Sequence, residues 1–148
     1  MLSAAEHGPS SLALPHNELL DMVVLGRYKQ PPLRFKGQRI AHLRRAFEPD
    51  VDLFIDVWAR RKGGYVVSYN GFAVSSLQAY ADVVACVEDV GIHLETVCAR
   101  KLDTLQVADL GKIVSVALRY HAFHQEFAVL VGDFLAMFDS YCRRWSQQ

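Results

Sequence analysis

Cysteine is scarce and odd in number. Cys86, Cys98 and Cys142 are the three in 148 residues, and no C-x-x-C spacing joins any two. That excludes a disulfide framework and a cysteine-based zinc ribbon. Reduced thiols fit a cytoplasmic setting, the expected address. Proline and glycine are modest, at 5 and 9 residues, which removes collagen-like and low-complexity classes. Net charge is missing as well: 16 basic residues meet 16 acidic ones, so a chain basic throughout that coats DNA is disfavoured. No apolar run is long enough for a membrane span. The longest uncharged window, 63–81, holds Gly, Ser, Asn, Gln and three Tyr. The first residues lack the basic stretch and apolar run of a signal peptide. No G-x-S-x-G, H-E-x-x-H, G-x-x-x-x-G-K-[ST] or G-x-G-x-x-G string occurs, so no local motif argues for an enzyme.

What is present is an ordinary globular composition, 51% hydrophobic and 22% charged. A chain of this length buries roughly 68–70% of its unfolded surface and needs no covalent staple. Residues 1–15, with Gly8, Pro9 and Pro15, are expected to form a mobile tail, and 16–148 a single domain.

Along the chain, Glu18 to Leu25 reads as a short helix capped by Asn17 and ended by Gly26, with a strand at Val23–Leu25 as the alternative. Pro31-Pro32 is a stop. Leu33–Phe35 and Arg39–Leu43 read as two short strands around a tight turn at Lys36-Gly37-Gln38. Glu48-Pro49-Asp50 is a break. Val51 to Ala59 alternates cleanly, Val51, Leu53, Ile55, Val57 and Ala59 on one face against Asp52, Phe54, Asp56 and Trp58 on the other, the period of a strand. Arg60 to Gly64 turns the chain into a second strand, Tyr65–Tyr69. Asn70-Gly71 is expected to be a type I′ hairpin turn before a third strand at Phe72–Val74. Ser75-x-x-Gln78 has capping-box spacing, and Leu77, Tyr80, Val84 and Val87 then predict a helix ended by Gly91. Asp103-x-x-Gln106 marks a further helix start.

The C-terminal segment carries the strongest pattern. Ile113, Val116, Tyr120, Phe123, Phe127, Leu130, Phe134, Met137 and Tyr141 follow one another by alternating steps of three and four, one stripe along a helix. A second stripe, including Ala117, His121, His124, Ala128, Val131, Leu135, Phe138, Cys142 and Trp145, lies beside it. Such a helix has to bury two faces. Residues 112–145 as a straight helix span about 51 Å, against a radius of gyration of roughly 15 Å for a compact chain of this size. Either the helix breaks, at Gly132 or within 121–125, or it projects and packs on a second copy. The favoured expectation is a kinked helix between the sheet and the 77–90 helix. The residues that would carry an oligomer interface are Tyr120, Phe127, Phe134, Phe138, Tyr141 and Trp145.

Candidate chemistry is thin. His121 and His124 at i, i+3 can point to one side of a helix and share a metal, but no third ligand stands near them in sequence. Two structural histidines are the expected reading. Asp52 and Asp56 sit about 13 Å apart along a strand, too far for a glycosidase pair. Charge is segregated. Residues 27–62 hold ten basic residues against Glu48, Asp50, Asp52 and Asp56, a surplus of six that the rest of the chain offsets. Arg44, Arg45, Arg60, Arg61 and Lys62, with the Trp58 ring, are the candidate partner or nucleic-acid contacts.

The expectation is therefore an α+β fold: a small antiparallel meander at about 33–74, packed by C-terminal helices of which one long amphipathic helix dominates the core. The expected function is that of a non-catalytic binding or regulatory protein, acting through a protein partner or a second copy of itself as a homodimer. The alternatives are a nucleic-acid-binding module built on the basic 27–62 region and a small enzyme using His121 or His124. No cofactor, metal or membrane is called for.

Overall fold

The computed structural model describes residues 21–73, 76–99 and 114–146. Five strands come first: β1 (Met22–Arg27), β2 (Gln30–Glu48), β3 (Val51–Arg60), β4 (Tyr65–Ala73) and β5 (Ser76–Val84). Two helices follow, α1 (Val87–Ala99) and α2 (Val114–Ser146). The strands form one antiparallel sheet in chain order. The fold is α+β, with the sheet wider than the expected meander and the long helix packed on it.

The extra width comes from β2, which is one strand of 19 residues rather than two short ones. Its first half pairs with β1 up to Lys36, and from Gly37 onward it pairs with β3. Gly37 is not a turn. A Cβ there would collide with the Ala59 carbonyl and crowd the Phe35 ring, so glycine is what lets β3 lie this close. A register shift between Arg39 and Ala41 bends the strand just beyond it. Pro31-Pro32 sits at the start of β2, where missing N–H donors are tolerated. The expected helix at 18–25 is replaced by β1 from Met22 onward. Residues 18–20 lie outside the described residues, as do 1–15 and the Asp103-x-x-Gln106 motif.

The sheet curls until its ends meet. The Tyr28 N–H donates to the Ala79 carbonyl at 2.8 Å, and the Tyr28 ring lies 6.0 Å from that of Tyr80. Curling gives the sheet two cores. Leu53, Ile55, Val57 and Ala59 of β3 join Tyr65, Val67 and Tyr69 of β4 against the helices. Inside the curl, Phe35, Val66 and Ala81 pack with Val23, Leu25, Leu33 and Trp58. The two faces of β3 that alternate in the sequence therefore both find cover, one under helices and one under β1 and the first half of β2.

Two turn assignments differ from expectation. Asn70-Gly71 lies within β4, and Gly71 has no left-handed backbone. The Asn70 side-chain carbonyl instead accepts the Phe54 N–H, and Gly71 leaves room for the Tyr80 ring, which a Cβ would overlap. The 77–90 helix is absent: 76–84 is β5, and the helix begins at Val87. Leu77, Tyr80 and Val84 do match a helical period, but nine residues of pairing with β4 outweigh it. The Gln78 amide donates to the Ser76 hydroxyl at 3.0 Å rather than completing a helix cap. Glu88 and Asp89 in the first turn of α1 oppose the positive end of its dipole, and Gly91 sits inside the helix, facing Leu135. Arg60–Gly64 turns as expected, with Gly63 and Gly64 at φ of 104° and 77°. The Glu48-Pro49-Asp50 break is likewise a turn.

α2 runs through 33 residues, about 50 Å, without interruption at Gly132 or in 121–125. Its first stripe is the core: Tyr120, Phe123, Phe127, Leu130 and Phe134 are buried, and rings stack along it at Phe123–Phe127 and Phe134–Phe138. The second stripe is most deeply covered toward the C-terminal end, where Val131, Leu135, Phe138 and Cys142 join the core beside α1. His121 and Ala128 are exposed.

Phe127 is 3% exposed and touches the Tyr69 and Phe123 rings. Phe127→Ala is expected to cost roughly 3–5 kcal/mol in urea unfolding. A loss under about 1 kcal/mol would mean that the stripe does not hold the sheet to α2.

Candidate functional site

The basic segment divides into cations that pair with a carboxylate and cations with no acidic partner among the described residues. Strand alternation sends Arg44 and Arg45 to opposite faces. Arg44 turns inward to Asp56, a buried carboxylate on the face away from the helices, and reaches its two oxygens at 3.0 and 3.3 Å. Arg39 adds a contact to the same carboxylate at 3.7 Å. The two guanidiniums also cover rings, Arg44 over Phe54 at 5.0 Å and Arg39 over Trp58 at 5.9 Å. On the helix side, Arg45 pairs with Glu126, and Arg119 forks onto Glu48 with two bonds of 2.8 Å. These two pairs tie the far end of β2 to α2. Trp58 does not offer an open stacking face. Its ring meets Phe35 edge-on at 6.0 Å, and its indole N–H is shut from solvent without a partner among the described residues.

Beside Asp56 the curl leaves an open cleft of about 310 Å³, lined by Leu25, Arg44, Asp52, Phe54, Asp56 and Ser68 among others. The Ser68 hydroxyl is buried and unbonded among the described residues. A larger groove, about 570 Å³, runs between α1 and α2 past Glu88, Ile92, Glu95, Leu135 and Asp139.

Arg60, Arg61 and Lys62 behave differently from Arg44 and Arg45. They sit at the β3–β4 turn, where the Arg61 N–H donates to the Lys36 carbonyl at 2.8 Å and Arg60 lies opposite Gly37. The turn thus joins Lys36 and Arg34 of β2. Arg34, Lys36, Arg61 and Lys62 are exposed, and Arg60 donates to the Gly63 carbonyl. None of the five has an acidic partner among the described residues. Arg34 and Lys36 belong to this cluster only through pairing across β2 and β3, a register the sequence does not print.

The histidine pair separates. His121 is exposed, while His124 turns its Nε2 to the Tyr120 hydroxyl at 2.9 Å. No group of three or more potential metal ligands occurs among the described residues. A network with no counterpart in sequence spacing links β4, β5 and α1: the Tyr69 hydroxyl donates to Asp82 at 2.8 Å, and His93 reaches the same carboxylate oxygen at 2.8 Å. The thiols are held protonated. Burial, with Asp139 and Glu88 nearby, pushes Cys142 up to about 11. Burial raises Cys98, and the bond to Asp89 raises Cys86. The oligomer candidates Tyr120, Phe127, Phe134 and Phe138 are spent on the chain's own core, and Tyr141 is half-buried beside them. The side chain of Trp145 lies outside the described residues. No described helix is long and apolar enough to cross a membrane.

Two tests address the engaged cations. Arg44→Met leaves Asp56 buried with only the longer Arg39 contact, and is expected to cost roughly 1–3 kcal/mol in urea unfolding, less than a fully buried pair because Arg44 is half-exposed. The Arg119 hydrogen bonds hold Glu48 below the usual carboxylate range. The stability this pairing supplies is complete above the unfolded carboxylate value and is lost as pH falls through the depressed folded one. Glu48→Gln should therefore be less stable than the parent at pH 7, with the gap closing in acid. A gap unchanged across that titration would show the pair to contribute nothing. Comparison with family models, curated proteins and solved structures finds no match to this chain.

Proposed function

We propose that the chain is a non-catalytic binding protein that works as a homodimer, paired through the outer face of α2. The observation that carries this reading is the state of that face. Leu118 is 63% and Val129 43% exposed, and Ala122, Gly132 and Ala136 lie exposed in the same sector of the helix. Gln125, Asp133 and Ser140 lie exposed in the same sector, so the apolar residues form a narrow seam, and exposed apolar side chains grouped in this way can mark an interaction surface.

A second copy fits the pattern of sizes. In an antiparallel pair with its two-fold level with Phe127, Leu118 meets Ala136 of the partner subunit. In the next layer Ala122 meets Gly132 of the partner subunit. In the layer nearest the two-fold, Val129 meets Gln125 of the partner subunit, and the small residues of the outer layers let two helices approach to about 8–10 Å. The chain's zero net charge adds little repulsion between copies. The same two-fold makes the interface isologous, the commonest form of soluble oligomer. An unbroken 33-residue helix that buries one face in its own core has the length to offer the opposite face to a neighbour.

Light scattering at high micromolar concentration is expected to give twice the chain mass of 16.7 kDa. Val129→Glu should return a monomer with unchanged helix content. A parent protein that stays monomeric at that concentration refutes the dimer.

A further inference from the structure

We infer that the free cations at the end of the sheet form a contact surface for the phosphate backbone of a nucleic-acid duplex. Five cations meet there from two places in the chain, Arg34 and Lys36 on β2 and Arg60, Arg61 and Lys62 at the β3–β4 turn. The turn is fixed in shape. Gly63 and Gly64 take left-handed φ values, the Arg60 N–H donates to the Gly64 carbonyl at 3.0 Å, and a Cβ on Gly64 would press on the Val84 carbonyl. Arg34 and Lys36 point the same way from one strand, about 7 Å apart. The cluster is therefore an arrayed set of charges on a rigid support. Of the segment's other cations, Asp56 takes Arg39 and Arg44 and Glu126 takes Arg45, while Arg27 bonds to the Pro31 carbonyl and Lys29 lies over the Tyr28 ring at the far end of the β1–β2 hairpin.

The partner follows from what surrounds the cations. Single-strand binding relies on rings on which bases stack. The aromatic residues nearest in sequence, Phe35, Trp58 and Tyr65, are packed into the two cores and give no platform. Charge without stacking suits a paired backbone, read for its phosphates and not for its sequence. The surface lies on one protomer and does not involve α2, so it stands apart from the dimer reading.

Fluorescence anisotropy with a labelled DNA duplex of arbitrary sequence tests this directly. At low salt the duplex should bind, with log K falling against log[salt] at a slope of at most about −4.5 for five phosphate contacts per protomer. Arg61→Gln with Lys62→Gln should reduce that slope by about 2 while leaving the circular dichroism unchanged. Lys29→Gln, at the other end of the β1–β2 hairpin, should leave it unaltered. Absence of duplex binding at low salt overturns the inference. So does a slope indifferent to the Arg61 and Lys62 changes, or tighter binding of a single strand, of poly-glutamate or of anionic lipid vesicles than of the duplex.

Discussion

Everything in this fold hangs on β2 belonging to two ribbons at once. A strand of 19 residues cannot stay flat against a five-stranded twisted sheet, and the close approach of the Ala59 carbonyl to Gly37, followed by the register shift before Ala41, is where it bends. That bend carries β1 over the far face of β3–β5 until Tyr28 bonds to Ala79. Without it, Val66, Ala81 and Trp58 would face water. With it, they share a second core with Phe35 and Leu33, and Asp56 is enclosed beside them.

Enclosing Asp56 has an electrostatic consequence. A buried carboxylate needs partners, and Arg44 and Arg39 supply them. On the opposite side, Glu126 and Glu48 draw Arg45 and Arg119 into pairs that fasten the long helix to β2. The charge surplus of the 27–62 segment is in this way divided. The middle of the segment is used to hold the structure together, and the cations at the end of the sheet have no acidic partner among the described residues. Folding gathers Arg34, Lys36, Arg60, Arg61 and Lys62 at one end of the sheet.

The long helix shows a similar division. One stripe of rings is committed to the sheet and the lower part of the second stripe to α1. α1 is only 13 residues, and it covers a fraction of a helix that runs for 33. The sector holding Leu118, Val129 and Ala136 is exposed among the described residues. The proposed pairing of two copies would cover this sector.

The sequence by itself determined the α+β class, β3 from its period of two, the turn at Gly63-Gly64, and the buried ring stripe of α2. These are local patterns, legible because one residue spacing fits one geometry. Tertiary structure decided the rest. It made 76–84 a strand although Leu77, Tyr80 and Val84 also fit a helix, because pairing with β4 supplies backbone hydrogen bonds along the whole segment. It made Asn70-Gly71 a stretch of β4, since the Tyr80 ring needed the space beside Gly71. It also chose which of the ten cations of 27–62 meet an acidic partner among the described residues. Side chains a dozen or more residues apart, such as Arg44 and Asp56 or Arg45 and Glu126, find one another only once strand register and helix docking are set, and no spacing along the chain encodes that meeting.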